Sequence, residues 1–560
     1  MKVVIVGGVA GGASAAARIR RLDEHAQIIM IERSGYVSYA NCGLPYYVGG
    51  VIKEQKELAL QTPESFWDRF RIDVRVRQEV TAINPAEKTV TVHVLDSGKV
   101  YTETYDKLIL APGAKPTVPA LSGISSERVF TLRTVEDTLR IRRFVEDQKP
   151  KTAVLAGGGF IGLEMAENLT EMGVSVTIVQ RPNQLLAPLD ADMASFVHVE
   201  MRRHGVALRL GETVTGFRQD GDSVLTLLEG SEPLHSDMVL LAIGVTPDTH
   251  LAKDAGLRLG IRGSIAVNER METSVPDIYA VGDAVEVSHF VTGQKALISL
   301  AGPANKQGRI AADNICGGNS RFHGSQGSSV LKLFGLTAAS TGINEKAAQA
   351  AGIAYDKVVL FPASHAAYYP GARSMTMKVL YEKESLRLLG AQIVGGEVVD
   401  KRIDVLATAI RAKMKALELT ELDLSYAPPY SSAKDPVNMA GFMIEDLESG
   451  KVRQFHWNDV EDLPCNGSAT LLDVRTAWEY QRGHLDGFRN IPLDDLREHL
   501  DELDVYVNCQ TGLRSYLACR LLTQYGFSCA HLSGGYSFYQ VVTKEQQTAR
   551  SAYPCGMEKL

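Results

Sequence analysis

Lys2-Val-Val-Ile-Val-Gly7-Gly8-Val9-Ala10-Gly11-Gly12, followed by an alanine-rich run towards Arg21, joins a β-branched strand to a helix through glycines. Thr152-Ala-Val-Leu-Ala-Gly157-Gly158-Gly159-Phe160-Ile161-Gly162, followed by Leu163 to Met172, repeats the arrangement. A strand, tight turn and helix of this kind opens a doubly wound α/β unit. The glycines let backbone N–H groups at the helix N-terminus face a pyrophosphate, where the helix dipole favours negative charge. Gly157, Gly159 and Gly162 keep the G-x-G-x-x-G spacing, whereas Val9 takes the middle place of the first turn and Gly7 and Gly12 hold the outer two. A second strand follows each turn and ends in a polar residue, Glu32 and Gln180, where a ribose is read. The separation of about 150 residues fits two nucleotide-binding domains better than a short repeat array.

The chain has 560 residues, enough for roughly three to four domains. With 45% hydrophobic and 22% charged residues it reads as globular rather than fibrous or disordered. A net charge of -7 and no basic block of five or more offer no positive field for a phosphate backbone, so nucleic acid is not an expected partner. The longest apolar runs, such as Val3 to Val6 and Val239 to Ile243, are strand-sized, while a membrane-spanning helix needs about 20 apolar residues. The N-terminus lacks the apolar stretch and cleavage site of a signal peptide, and a cytoplasmic location is expected. Seven cysteines, none in a Cys-x-x-Cys pair, disfavour a disulfide framework or zinc ribbon and direct attention to individual thiols; no metal site is expected. After about residue 325 the texture changes to long alternating stretches such as Ser374 to Tyr381 and an amphipathic helix near Asp400 to Met414, an α+β pattern. A polar linker and a compact strand and helix alternation of about 100 residues follow.

Leu108-Ile-Leu-Ala-Pro-Gly113-Ala and Ser274-Val-Pro-Asp-Ile-Tyr-Ala-Val-Gly282-Asp283-Ala stand between and after the glycine turns in the order of a two-dinucleotide flavoprotein. Over about residues 1 to 445 the chain resembles the pyridine nucleotide-disulfide oxidoreductase family. The resemblance implies an FAD-binding domain at 1–115 and 245–325, an NAD(P)-binding domain at 116–244, a dimerisation domain at 326–445 and a linker at 446–456. It implies that FAD is held by Gly7, Val9, Ala10, Gly11, Gly12, Glu32, Arg33, Asn41, Val80, Ala111, Gly113, Gly282 and Asp283. Gly157, Gly159, Phe160, Ile161, Gly162, Gln180 and Arg181 then hold NAD(P)H. An acidic residue at the end of the second strand would select NADH and an arginine would accommodate a 2′-phosphate; Gln180 followed by Arg181 leaves the choice open.

Ser38-Tyr39-Ala40-Asn41-Cys42-Gly43-Leu44-Pro45 carries one cysteine where glutathione reductase-like members carry two. It is similar to the branch containing coenzyme A-disulfide reductase, NADH oxidase and NADH peroxidase, which implies a Cys42 thiolate beside the flavin, its pKa lowered by a helix dipole and the flavin. In that branch coenzyme A is reached from the first helix and by two tyrosines of the partner subunit of a homodimer. Here Ser14, Arg18, Arg21, Ser38, Asn41 and Arg71 are the corresponding substrate-binding candidates, and Tyr368 and Tyr426 are the candidate tyrosines, near Tyr369 and Tyr430.

Leu471-Leu-Asp473-Val-Arg475, Gly483-His484 and Val505-Tyr-Val-Asn-Cys509-Gln-Thr-Gly-Leu-Arg514-Ser515 resemble a rhodanese domain, implied for 457–560. That resemblance makes Cys509 the sulfur carrier, stabilised by backbone N–H groups of its loop, with Arg514 ordering the loop or binding the anion. Cys316, Cys465, Cys519, Cys529 and Cys555 lack a supporting motif and read as bystanders. The expected activity is NAD(P)H-dependent reduction of coenzyme A persulfide, other persulfides or polysulfide with release of hydrogen sulfide. Coenzyme A-disulfide reduction and NADH oxidase or peroxidase chemistry are the alternatives, and a rhodanese segment that only docks partners is another.

Overall fold

Val3, Val4, Ile5 and Val6 are all buried in the strand Lys2–Val6, as a parallel strand covered on both faces requires. The computed structural model describes residues 1–464, 468–499 and 505–551. They divide into two units, Met1–Pro182 with Gly205–Gly327 and Asn183–His204 with Ser328–Leu560.

In the first unit, two parallel sheets carry the glycine turns. One runs in the order Ile278–Ala280, Lys107–Leu110, Lys2–Val6, Gln27–Glu32, Ile72–Val76. The other runs Ala207–Leu210, Ser175–Gln180, Thr152–Ala156, Met238–Leu241, Val129–Thr131. Each glycine-bearing strand lies inside its sheet with the next strand beside it in register, Val6 opposite Ile31 and Ala156 opposite Val179. This puts Glu32 and Gln180 beside the turns they follow by more than twenty residues. Both helices after the turns, Ala10–Leu22 and Phe160–Glu171, begin without a capping side chain and without an acidic residue in the first turn. Their first N–H groups are therefore left for another acceptor. The alanine and glycine content of Ala10–Leu22 lets Ala301–Ile315 approach closely: a Cβ on Gly308 would stand 2.2 Å from the Gly11 carbonyl oxygen.

In the second unit, an antiparallel sheet runs Ser329–Leu333, Leu336–Gly342, Leu388–Gly395, Thr376–Glu382, Tyr355–Leu360. The first six residues of Thr376–Glu382 are buried, so its alternating sequence faces packed elements on both sides. Lys378 is among them, and its ammonium bonds Asp192 at 2.8 Å, Asp190 at 3.0 Å and Glu345. The three carboxylates lie close enough to hold a metal ion, but this ammonium already stands among them. Gln392 donates to Asp190 at 2.6 Å and accepts from its backbone N–H at 2.7 Å, tying the start of the helix Ala191–Arg203 to the sheet.

The C-terminal domain has a parallel sheet in the order Gln454–Phe455, Cys529–Leu532, Val505–Asn508, Thr470–Asp473, Arg489–Asn490. The stretch read as a linker is largely built into structure: the helix Pro436–Glu448 runs into it, and Gln454–Phe455 is an edge strand of this sheet. The last helix, Gly535–Ser551, packs Phe538 against Phe196 and Phe361 with ring centroids 5.8 and 6.3 Å apart, and its Glu545 accepts from Arg202. Cys465 and Cys555 lie outside the described residues, and among the described residues no helix is long and apolar enough to cross a membrane.

Burial pushes the Glu345 carboxyl up, but Lys378 and Lys357 outweigh it and hold the group at about 2, below its ordinary 4.5. A depressed carboxyl contributes stability above its unfolded pKa and loses it as pH falls through the folded one. Lys378→Met leaves the buried carboxylates without this cation and is expected to cost about 3–5 kcal/mol at neutral pH. Urea unfolding is expected to show that penalty shrinking as pH is lowered from 4.5 towards 2.

Candidate active site

The first turn opens onto a cleft of about 340 Å³. Gly7, Val9, Glu32, Arg33, Asn41, Val80, Ala111 and Gly113, far apart in sequence, line it together. Gly7 has φ +98° and a Cβ there would stand 2.1 Å from the Ala111 carbonyl oxygen; a Cβ on Gly12 would stand 1.9 Å from the Gly7 oxygen. Only glycine lets the strand end and helix start meet here. Glu32 is buried, its two oxygens accepting from the N–H groups of Gly8 at 2.8 Å and Ser34 at 2.9 Å. Arg33 pairs with the buried Asp248 at 3.0 Å. Ala10 heads the helix, and Gly11 packs against Val281, where a Cβ would approach within 2.8 Å. A glycine cradle, an uncapped helix N-terminus and a carboxylate at the ribose position suit FAD.

The second turn is built alike. Gly157 has φ +114° with a Cβ position 2.2 Å from the Ala242 oxygen, and a Cβ on Gly162 would stand 2.0 Å from the Gly157 oxygen. Gly159 precedes the helix that Phe160 and Ile161 begin. The Gln180 amide oxygen accepts from Gly158 N–H at 3.0 Å, the counterpart of Glu32 with Gly8, and Arg181 is exposed at the strand end. These residues suit a dinucleotide, and an exposed cation after a neutral amide repels neither form of the nicotinamide cofactor.

Cys42 lies exposed in the turn Asn41–Gly43, directly before the short helix Leu44–Val48. Arg142 donates to the carbonyls of Tyr47 at 3.1 Å and Val48 at 3.0 Å and so holds the far end of that helix. Arg133, absent from the sequence reading, is the hub. Its Nη2 donates to Asp283 at 2.7 Å, and the Asn41 amide accepts from its Nη1 at 3.2 Å and donates to its carbonyl at 3.0 Å. Gly282 N–H donates to Gln307 at 2.7 Å, which sets the turn carrying Asp283. Arg133 is placed by the capping box at the start of Val135–Gln148: Asp137 accepts from the N–H groups of Arg133 at 3.0 Å and Thr134 at 3.1 Å. The Thr134-x-x-Asp137 pattern signalled a helix start, but nothing local shows that the preceding arginine reaches Asp283.

Among the protein groups, burial pushes the Cys42 thiol up; the carboxylates of Glu164 and Asp283 add to this and Arg133 opposes it. Glu164, on the helix after the second turn, is itself raised to about 7 by burial and accepts from Tyr46 Oη at 3.4 Å. The Cys42 neighbourhood thus holds a group able to take or give a proton at neutral pH.

The coenzyme A candidates are not gathered as free donors. Ser14 Oγ donates to Asn305, and Arg18 Nε pairs with Asp313 at 2.6 Å, both partners on Ala301–Ile315 and nearly three hundred residues away. Arg21 is exposed. Ser38, at φ +45°, bonds its backbone N–H to the Gly8 oxygen at 2.8 Å. Arg71 ends the helix Pro63–Phe70 in the left-handed region and lies 5.6 Å over the Trp67 ring, an end-capping role. In the second unit, the hydroxyls of Tyr368 and Tyr426 meet at 2.6 Å and both rings are exposed, Tyr368 at 76%.

Cys509 is fully buried between the strand Val505–Asn508 and the helix Leu513–Gln524. Its sulfur accepts from Gly512 N–H at 3.2 Å and lies 3.4 Å from Ser515 Oγ. A Cβ on Gly535 would collide with this loop, 2.5 Å from the Cys509 oxygen. Arg514 is committed to Glu479 in a two-pronged pair at 2.7 and 2.6 Å, which holds the Glu479 carboxyl down at about 2. Of the two roles read for Arg514, ordering the loop is the one this pairing supports.

Two dinucleotide folds, an exposed thiol beside the cleft-lining Asn41 and a second thiol buried at a strand-to-helix loop of a further α/β domain define a dinucleotide-dependent reductase class with an appended domain. Residues 1–308 match pyridine nucleotide-disulphide oxidoreductase, residues 329–436 its dimerisation domain and residues 457–540 the rhodanese-like domain. The chain belongs to the pyridine nucleotide-disulphide oxidoreductase family. It is a mixed α/β oxidoreductase of a family that uses FAD and NAD(P)H, with a dimerisation domain and a C-terminal rhodanese domain. Coenzyme A disulfide reductase of Staphylococcus haemolyticus is 36% identical over 80% of this chain and 100% of that protein. The solved structure of reduced Bacillus anthracis CoADR-RHD is 48% identical, covers 97% of this chain and 98% of its own, and has a TM-score of 0.94. That of a NAD-dependent persulfide reductase from A. fulgidus is 38% identical, covers 96% of this chain and 100% of its own, and has a TM-score of 0.90.

Because the Glu164 carboxylate disfavours the neighbouring thiolate, Glu164→Gln is expected to lower the Cys42 thiol pKa. Alkylation of Cys42 by iodoacetamide above neutral pH, followed by mass spectrometry, is expected to speed up by roughly threefold. An unchanged rate-against-pH profile would show that the two groups do not interact.

Proposed function

We propose that the protein is an NAD(P)H-dependent reductase of coenzyme A persulfide, other persulfides or polysulfide that releases hydrogen sulfide, with Cys509 carrying sulfane sulfur. The observation that supports this most is the presence in one chain of two differently housed thiols: Cys42, exposed next to the cleft-lining Asn41, and Cys509, buried with the Gly512 N–H donating to its sulfur. The Staphylococcus relative is matched over its whole length by only 80% of this chain, so the sulfur-carrying segment is what this protein adds.

In this reading the Cys42 thiolate attacks the outer sulfur of coenzyme A persulfide, forming the Cys42 persulfide and expelling the coenzyme A thiolate. Two electrons and one proton then convert the Cys42 persulfide to thiolate and H₂S. When bound, FAD supplies the two-electron connection from NAD(P)H to the sulfur. Arg133 orients Asn41 and Asp283 around the cleft, and Glu164 with Tyr46 holds or releases the proton that accompanies sulfur reduction. The paired hydroxyls of Tyr368 and Tyr426, contributed by the second copy of a homodimer, donate to the departing thiolate. Ser14 and the outer Nη groups of Arg18, with Arg21, face the phosphates of coenzyme A. Glu32 contacts the adenosine ribose of FAD and Asp283 its ribityl chain.

Coenzyme A-disulfide reduction is the second reading, favoured by the curated relatives. It differs only in the group attached to the attacked sulfur, and comparing NADH oxidation with coenzyme A persulfide and coenzyme A disulfide separates the two. Cys42→Ser is expected to abolish NAD(P)H-dependent sulfide release. Cys509→Ser is expected to remove sulfurtransfer from thiosulfate or persulfide while NAD(P)H still bleaches the flavin at the unaltered rate. Full sulfide release by the Cys42 variant would overturn the reading.

A further inference from the structure

Tyr368 and Tyr426 stand on two different loops, 361–375 and 422–435, and their hydroxyls meet at 2.6 Å although both rings are exposed. Exposed side chains on long loops keep such a contact only if the loop roots are fixed, because free loops and rotamers carry entropy that opposes it. The roots are tied at Ser431. Its backbone N–H donates to the Ala427 carbonyl at 3.2 Å, closing the turn that follows Tyr426. Its carbonyl accepts from the Ala366 N–H at 3.0 Å, and the Ala366 carbonyl accepts from the Tyr369 N–H at 2.9 Å, closing the turn that contains Tyr368. One residue thus sets the backbone beside both rings.

Ser431 is completely buried, and its hydroxyl is held from two sides. It donates to the Asp435 carboxylate at 2.8 Å and accepts from Arg402 Nη2 at 2.8 Å. The same Nη2 donates to Asp435 at 3.1 Å and to the Tyr430 carbonyl at 3.3 Å. Arg402 is also completely buried, and its Nε and Nη1 have no hydrogen-bond partner among the described residues, so the bonding of this cation goes to the loop of Tyr426. Desolvation offsets the attraction within a buried ion pair, which makes a fixed arrangement of the groups around it a better account than stability. Both members have rigid footings: Arg402 lies in the first turn of the helix Val399–Arg411, and the other Asp435 oxygen caps the helix Pro436–Glu448 by accepting from Val437 N–H at 3.0 Å. Two helices therefore fix one serine.

We propose that Ser431, braced by Arg402 and Asp435, is the positioning residue that sets the Tyr368–Tyr426 hydroxyl pair for sulfur reduction. It acts through the turns at Ala427 and Ala366 and not by touching the reacting sulfur. The proposal rests on the reading of the two tyrosines as donors to the departing thiolate. Ser431→Ala keeps the Arg402–Asp435 pair and removes the hydroxyl between them, so the cation and carboxylate stay compensated while the two turns gain freedom.

The test has a geometric and a kinetic arm, both on the full-length holoenzyme. Brief photo-oxidation with a ruthenium trisbipyridyl complex and persulfate joins tyrosines in contact, and mass spectrometry of the digest measures the Tyr368–Tyr426 linked peptides, with the joined residues located by fragmentation. Ser431→Ala and Arg402→Met are expected to lower that yield roughly fivefold, the effect of one hydrogen bond on the population of the paired arrangement, and Arg402→Lys to lower it less. In stopped flow, reoxidation of the NADH-reduced enzyme by coenzyme A persulfide is expected to slow about tenfold in Ser431→Ala. In a Tyr368→Phe/Tyr426→Phe background the same substitution is expected to cost nothing further, whereas a general loss of structure would slow both enzymes alike. An unchanged linked-peptide yield in Ser431→Ala, or equal slowing with and without the two hydroxyls, would overturn the proposal and leave the tyrosines' role standing. Full-rate reoxidation of the Tyr368→Phe/Tyr426→Phe enzyme would overturn that role and the proposal together. Ser431→Ala decides even if the Arg402 variants do not fold.

Discussion

At two points the backbone returns on itself more closely than any side chain permits. At Gly7 and Gly157 a strand end, a helix start and a crossing loop share one small volume, and the carbonyls of Ala111 and Ala242 occupy the place of a Cβ. Both dinucleotide positions depend on this. The close approach frees the first N–H groups of Ala10–Leu22 and Phe160–Glu171, which no side chain caps. An anion is the natural occupant of such an end.

The thiols occupy contrasting surroundings. Cys42 sits among ionisable side chains, and its thiol is set first by desolvation against the surrounding protein and then by the charges of Glu164, Arg133 and Asp283. Cys509 sits in a loop where the Gly512 N–H donates to its sulfur and Arg475, itself paired with Asp473, donates to Gln510, while Arg514 pairs with Glu479. The former arrangement suits a sulfur whose proton and electrons change in every turnover. The latter suits one that holds a sulfur atom until an acceptor arrives.

Much of this was legible in local sequence. β-branched strands followed by glycines mark turns because the steric requirement is local, and Thr134-x-x-Asp137 marks a helix start for the same reason. The side chains that tune the first cleft were not legible. Arg133 reaches Asp283 across 150 residues, and Glu164 acts on Cys42 from the other dinucleotide fold. The polar segment before the last domain also misled: its composition suits a linker, but Gln454–Phe455 pairs with Cys529–Leu532 as the edge of that sheet and Tyr516 donates to Asp446 at 2.6 Å.

The sequence by itself determined the order of the folds and the identity of the two thiols with matching motifs, because glycine sterics, β-branching and cysteine spacing act over a few residues. Only the tertiary structure decided which partners surround those thiols, that Arg18 and Arg514 are already paired, and that Tyr368 and Tyr426 meet. Charge and contact act through space, and elements distant along the chain supply them.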